Sequence, residues 1–209
     1  MTRPARSGAG WLRRLGRKGH LVLLAAAAPM AAQAASKPVV LDPVYIEPTT
    51  PVSFAVAGAP LCAVHIVEIV DIRRSPEMLG MLGGKPVLAP PDRTVWLISI
   101  VNGLKARGIA VDFSNPGVES PAVVNAHVTL QTAWIDAVQV SLNESAVFKI
   151  QAKGSDGRSI DQYYRGSASR MNWVLGDAEI KGGLNIAFSR ALDAMARDLV
   201  GLCGKAASA

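Results

Sequence analysis

The fold is decided by residues 124–131, which have the sequence VNAHVTLQ. Every second side chain from Val124 to Leu130 is apolar, Trp134 falls in the same register, and the intervening residues are polar. Successive side chains of a strand point to opposite faces of a sheet. The pattern therefore predicts a β-strand with one face on a hydrophobic core and the other toward solvent.

Neighbouring segments extend this sheet. Residues 145–153 repeat the alternation, and Asp156-Gly157 predicts a tight hairpin turn into a return strand over residues 159–169. In residues 62–72 both the odd- and the even-numbered positions are mainly apolar, and many of the side chains are β-branched. This pattern predicts a strand that is covered on both faces. Residues 109–113 add a short strand.

Two segments have helical periodicity. Residues 94–107 carry an apolar stripe and end at Gly108, which supplies a C-terminal stop. The stripe consists of Val95, Ile98, Val101 and Leu104, widened by Trp96, Leu97 and Ile100. The second helix covers residues 180–203, and two glycines in its first turn move its expected start toward Leu184.

The order of these elements predicts the fold class. Residues 76–91, rich in glycine and proline, are predicted to be a long loop. The remaining order, β-α-β-β-β-α, predicts an α+β fold with a mixed, mainly antiparallel sheet of four to five strands. Both amphipathic helices are expected to pack on one face of that sheet, because that buries their apolar stripes.

The N-terminal residues predict export. Six Lys and Arg precede His20 with no acidic residue among them, and an apolar run and the small-residue site Ala32-Gln33-Ala34 follow. This is the pattern of a cleaved signal peptide over residues 1–35, and its apolar run is far shorter than the roughly 20 residues that span a bilayer. We expect a periplasmic protein with a proline-rich extended arm over 36–60, one α+β domain over 61–204 and a tail over 205–209. The arm can also lay a short strand on a sheet edge, for instance over residues 53–56.

Charge and cysteine content narrow the function further. The chain has 22 Lys+Arg and 16 Asp+Glu, and six of the basic residues lie in the predicted signal peptide. The remaining chain is therefore neutral and lacks the basic surface that nucleic-acid binding requires. The two cysteines, Cys62 and Cys203, are expected to form a disulfide in an oxidising compartment, and the alternative is two separate buried thiols. No cysteine follows the apolar run directly, so lipid modification is not expected.

No motif for catalysis or for a cofactor is evident. Only His65 and His127 remain beyond the leader, without the spacing of a metal site, and no nucleophile elbow occurs. The glycines of residues 80–85 lack the spacing of a phosphate loop and predict a mobile loop instead. We therefore expect no enzyme, no metal and no cofactor.

A polar sheet face and a charged strand end form the candidate partner surface. Their predicted members are Asp71, Arg73, Arg74, His127, Gln131, Lys149, Lys153 and Arg165. Four larger aromatic side chains are expected either in the core or at an interface, and the core is favoured because buried aromatic residues are the commoner ones, least so for Trp173 in its loop: Trp134, Tyr163, Tyr164 and Trp173.

Several short motifs resemble the YajG family of bacterial envelope lipoproteins, over roughly residues 63–199. They are Val70-Asp71-Ile72-Arg73, Ala106-Arg107-Gly108-Ile109, Tyr164-Arg165 and the helix residues Asn185, Ala191, Leu192, Met195, Asp198 and Leu199. This family and the similar LptE-like transport auxiliaries imply a mixed sheet with two helices on one face and a binding or assembly role. The chain departs from them in lacking the lipidation cysteine and in having a cysteine pair.

The sequence thus predicts a non-enzymatic periplasmic adaptor or binding protein in envelope maintenance or transport, with an envelope protein as its partner. The alternative is a small-molecule or lipid carrier, with its ligand between the helices and the glycine loop. A secreted hydrolase is a third hypothesis, against which the missing nucleophile and base count.

Overall fold

The computed structural model describes residues 37–42, 44–48, 62–121, 123–138, 141–171 and 177–203. The predicted signal peptide, residues 53–56, Trp173 and the C-terminal tail lie outside these residues. The elements in chain order are β1 (Val39–Val40), β2 (Cys62–Asp71), β3 (Met78–Leu82), β4 (Lys85–Leu88), α1 (Arg93–Val101), a 3-10 helix (Asn102–Arg107), β5 (Ile109–Asp112), β6 (Val124–Val138), β7 (Ser141–Lys153), β8 (Ser159–Met171) and α2 (Asp177–Cys203).

The strands form one mixed sheet in which β6 is central. β7 lies antiparallel along one edge of β6, and β8 lies antiparallel to β7. Along the other edge run first β2 and then β3, both parallel to β6. The described sheet has eight strands, so the predicted number of four to five is wrong. Four of its seven described pairings are parallel, although the longest ones are antiparallel.

The extra strands come mainly from the segment predicted to be a glycine loop. β3 and β4 form a hairpin whose turn is Gly83-Gly84, with φ of 53° and 79°. A two-residue turn with positive φ at both positions is the usual hairpin connection, and Gly-Gly provides it without steric cost. Leu79 and Val87 are fully buried, so the predicted mobile loop is wrong because its few apolar residues join the core.

The predicted alternation of β6 is confirmed as far as Leu130 and then changes sides. The register with β7 jumps between Leu130 and Thr132, which marks a bulge at Gln131. Beyond the bulge Ile135 points into the core, whereas Trp134 is 41% exposed. The core position predicted for Trp134 is therefore wrong, because one extra residue reverses the facing of every later side chain.

Both helices pack on one face of the sheet, as predicted. Phe188 of α2 contacts Trp96 of α1, with ring centroids 5.5 Å apart, and Phe148 of β7 at 5.9 Å. α1 begins where the Asp92 carboxylate accepts the Val95 N–H at 2.9 Å. The side chain of Val95 itself is exposed, because α1 turns its widened side into the core: Trp96, Leu97, Ile100 and Val101.

The two ends of the main body are tied together. The Sγ atoms of Cys62 and Cys203 are bonded, joining the first residue of β2 to the last residue of α2. Within the predicted arm, β1 pairs with β4, and Leu41 and Tyr45 are buried in the core. The described part of the arm is therefore extended and packs on the body.

Candidate functional site

The outer face of the sheet is the side of β6–β8 that points away from the helices, and no described element covers it. The long pairings of β6 with β7 and of β7 with β8 align its side chains in rows, for example Thr129, Lys149 and Tyr163. This face carries Asn125, His127, Thr129, Trp134, Lys149, Gln151, Lys153, Asp161, Tyr163 and Arg165.

Most of the predicted partner residues come together here. His127, Lys149, Lys153 and Arg165 lie on the outer face, and Gln131 lies at its bulge. The alternation of β6–β8 was sufficient to place them, because each strand keeps one side in the core.

The charged end of β2 behaves differently. Nη2 of Arg73 donates to Oδ2 of Asp71 at 2.6 Å, and both side chains are almost fully buried. Arg73 also donates to the carbonyl oxygens of Pro76 and Met78. These two residues fix the connection from β2 to β3 and do not form the predicted recognition edge; only Arg74 is exposed.

Ion pairs on the outer face are exposed and contribute little to stability. Gln151 Nε2 donates to Asp161 Oδ2 at 3.0 Å, and Lys149 Nζ lies 3.1 Å from Oδ1 of the same carboxylate. The hydrogen bond from Gln151 and then that from Lys149 lower the pKa of Asp161. Within the described chain, Lys153 and Arg165 have no acidic partner, so their charges remain available to a ligand.

The alternation placed Trp134 on the core side, whereas in the structure it lies beside a hollow of about 560 Å³. Arg74, Gln131 and Thr132 also line this hollow. Strict alternation would place Thr132 on the core side, where its neighbours in the pattern are apolar. A polar residue at that position was the one sign in the sequence that a bulge interrupts the strand. The bulge places an aromatic ring, an amide and a cation next to one another on the open face.

The described residues pack closely where the two helices meet the arm. Leu41, Trp96 and Phe188 line a space of only about 20 Å³ there. A lipid or metabolite needs a cavity of several hundred Å³, so it does not fit in this space. The carrier hypothesis, which places the ligand between the helices and the glycine loop, stays a prediction.

Glu144 is a buried carboxyl on the inner side of β7, with 1% of its surface exposed. Arg170 Nη2 lies 3.5 Å from its Oε1, and among the described residues neither carboxylate oxygen has a donor in ordinary hydrogen-bond geometry. Burial raises the pKa of Glu144, and the charge of Arg170 offsets this only in part. The backbone of α2 at Gly183 lies against the carboxylate, so α2 covers it and we interpret it as a structural acid.

We expect Glu144→Gln to be more stable than the wild type above pH 7, by about 1 kcal/mol, with no difference near pH 4. A carboxyl whose pKa is raised on folding contributes stability below its unfolded pKa, and this contribution is lost as the pH rises through the folded pKa. Urea denaturation at pH 4, 6 and 8 measures the effect. Glu119→Gln, at an exposed position, is the control, and equal pH profiles for both variants would contradict the prediction.

No three His, Cys, Asp or Glu side chains among the described residues come together as a metal-ligand set. No helix in those segments has the length and hydropathy required to span a bilayer.

Comparisons with known proteins give structural likenesses only. No protein-family model and no curated protein matches the chain. One similar solved structure is protein XCC0632 from Xanthomonas campestris, a DUF330 protein, with 18% sequence identity over 82% of this chain and 97% of that chain and a TM-score of 0.42. A minor lipoprotein from Acinetobacter baumannii has 9% identity over 68% of this chain and 94% of that chain, with a TM-score of 0.39. Lipoprotein GNA1162 from Neisseria meningitidis has 9% identity over 69% of this chain and 99% of that chain, with a TM-score of 0.32. At these TM-scores they identify neither a family nor a function, and the resemblance to the YajG family stays a prediction.

Proposed function

We propose that this chain is an exported, non-enzymatic binding protein of the bacterial cell envelope that docks a partner protein on the outer face of its sheet. The open outer face carries the proposal: it presents an exposed tryptophan and tyrosine beside two cations, Lys153 and Arg165, that have no acidic partner among the described residues. The leader pattern and the cystine support export, because disulfides persist mainly in oxidising compartments. The sequence resemblance to YajG-like and LptE-like proteins agrees with an adaptor role.

The outer face has the composition of a protein-binding surface. Trp, Tyr and Arg are enriched among the residues that dominate binding energy at interfaces, and this face presents Trp134, Tyr163 and Arg165. Tyr163 is 63% exposed, which is unusual for a large aromatic side chain without a partner. Lys149 lies 5.7 Å from the Tyr163 ring and holds it in place.

The shape of the surface favours a protein over a small molecule. Small ligands bind in concave sites that enclose most of their surface, whereas β6–β8 form a broad and continuous sheet face. The positive charges of Lys153 and Arg165 favour a partner with an acidic patch, since complementary potentials speed association and exclude wrong partners.

Site-specific photocrosslinking in intact cells of the source bacterium tests the proposal. A photoreactive phenylalanine analogue at Tyr163 is expected to give one discrete crosslinked product, and the same analogue at exposed Arg197 on α2 is expected to give none. Arg165→Glu should lower the yield at position 163 by about tenfold, as expected for loss of one central contact. Equal yields at both positions, or a yield unaffected by Arg165→Glu, would contradict docking on this face.

A further inference from the structure

One edge of β2 is left open where β5 ends. β5 runs parallel to β2 and pairs with it from Cys62 to His65, whereas β2 continues to Asp71. Beyond His65 the described chain meets this edge with one hydrogen bond, from the Gly117 N–H to the Val67 carbonyl oxygen at 2.8 Å. Among the described residues, the upper half of β2 therefore has β6 on one side and no strand on the other.

The backbone groups at this edge point outward. The Ile72 N–H donates to the Leu130 carbonyl oxygen of β6 at 3.1 Å. Backbone groups alternate between the two edges of a strand, so those of Ile69 and Asp71 point to the open side, as that of Val67 does. An exposed row of such groups is a template for another strand.

A hollow of about 670 Å³ runs beside this edge. Its floor is formed by β2 from Ile66 to Ile69, one wall by Ile98 of α1, and one end by the segment Phe113–Gly117. The lining is mainly apolar, so it can accept the side chains of an incoming segment.

We propose that this groove binds an extended segment of a partner protein, which adds to β2 as a continuation of β5 and carries apolar residues alternating with at least one Lys or Arg. This is strand addition at a sheet edge, in which backbone hydrogen bonds provide affinity and side-chain pockets provide specificity. The groove adjoins the outer face at His127, but its occupation does not depend on the function proposed above.

Charge determines which segment fits. The Glu68 carboxylate is 61% exposed at the rim of the groove, and its partner His127 lies 3.3 Å away. At the end of β5, where the incoming segment would begin, hydrogen bonds from Ser114 and then from His65 lower the pKa of Asp112 to about 2. The Glu68 carboxylate lines the groove, and Asp112 directly precedes Phe113 at the end of the groove, so both acidic groups favour a basic residue in the incoming segment.

Other occupants fit less well. An acyl chain would fill the apolar lining and leave the backbone groups of Ile69 and Asp71 without hydrogen bonds, which is costly once water is excluded. A second copy of this chain would bring two Glu68 carboxylates into one groove, which like-charge repulsion opposes.

A library of random nine-residue peptides, panned against the protein purified from its host, tests this proposal. The wild type is expected to enrich segments in which apolar residues alternate and a Lys or Arg recurs, and the matched Glu68→Lys variant should enrich Asp or Glu instead. No enrichment, enrichment of helical patterns, or the same basic preference in both proteins would overturn it.

Amide hydrogen exchange with the most enriched peptide provides the second readout. Exchange at Ile69 and Asp71 should slow by about tenfold, whereas Glu68 and Val70, which already face β6, should change little. A copy of the peptide that is N-methylated at alternate amides keeps its side chains but loses the backbone N–H donors that pair with β2. It is therefore expected to leave amide exchange at Ile69 and Asp71 unchanged. Equal binding of both peptides would show an apolar pocket that takes no strand and would overturn the proposal.

Discussion

Replacing both cysteines by alanine, Cys62→Ala with Cys203→Ala, is expected to lower the free energy of unfolding by about 4 kcal/mol. The two residues are 141 positions apart, and their bond joins the first residue of β2 to the last of α2. In the chain-entropy model, a cross-link that closes so long a loop removes much of the conformational freedom of the unfolded chain. Urea denaturation of the wild type and the double variant measures the difference.

Two controls separate the cross-link from the packing of the sulfur atoms. Wild-type protein reduced during denaturation should unfold at the same urea concentration as the double variant. The dependence of the unfolding free energy on urea should be steeper for both, because an unfolded chain without a cross-link exposes more surface. A decrease in the free energy of unfolding of less than about 1 kcal/mol would contradict the prediction, because it would be far smaller than the loop-closure effect.

The sequence predicted those parts of the fold that depend on local periodicity. The alternation from Val124 to Leu130 gave the inner and outer sides of β6, and Gly108, with φ of 78°, ends the first helical segment where expected. Four of the outer-face residues followed from the same alternation. The pairing of Cys62 with Cys203 followed from composition and compartment, because only two cysteines were present.

The elements that were missed depend on contacts distant in sequence. β3 is short, and its place in the sheet is fixed by pairing of Gly80 with Ile135, 55 residues further along the chain. The bulge at Gln131 shifts the register by one residue, which turns Trp134 to the surface and creates the hollow beside it. Periodicity alone does not show where such a shift occurs, so the part of the candidate site around Trp134 had to come from the structure.

Arg107 is the clearest case of a residue whose role the sequence could not reveal. A basic residue in the last turn of a helical segment is common, because it favours the negative end of the helix. In the structure its side chain is fully buried, and its partners Glu47 and Asp193 lie 60 and 86 residues away. The arm and α2 meet at this guanidinium.

We expect Arg107→Met to lower the free energy of unfolding by about 4 kcal/mol, because it leaves Glu47 and Asp193 without their cation. Nη1 and Nη2 of Arg107 donate to the two carboxylate oxygens of Glu47 at 3.0 Å each, and Nε donates to Asp193 Oδ1 at 2.6 Å. Nη2 also donates to Ser189 Oγ at 2.7 Å. Urea denaturation at pH 7 measures the loss, and Arg197→Met, at an exposed position of α2, is expected to change stability by less than about 0.5 kcal/mol.

The pH dependence of the Arg107 variant distinguishes a broken charge network from a simple packing defect. Burial would raise the pKa of Glu47, but hydrogen bonds from Arg107 and Ser189 outweigh it, and the folded pKa lies below the ordinary value of 4.5. Stability from this network is therefore present above pH 4.5 and is lost as the pH falls through the folded pKa. Without Arg107 the burial effect remains, so the deficit of Arg107→Met should shrink as the pH is lowered from 7 toward 4.

A double-mutant cycle completes the test. Glu47→Gln removes one of the two uncompensated carboxylates, so adding it to Arg107→Met should recover stability, and the two losses should fall short of additivity by about 2 kcal/mol. Additive losses with a deficit independent of pH would mean that Arg107 acts through its volume alone. In that case the arm would be held by the burial of Leu41 and Tyr45, and the ion pairs around Arg107 would contribute nothing to its attachment.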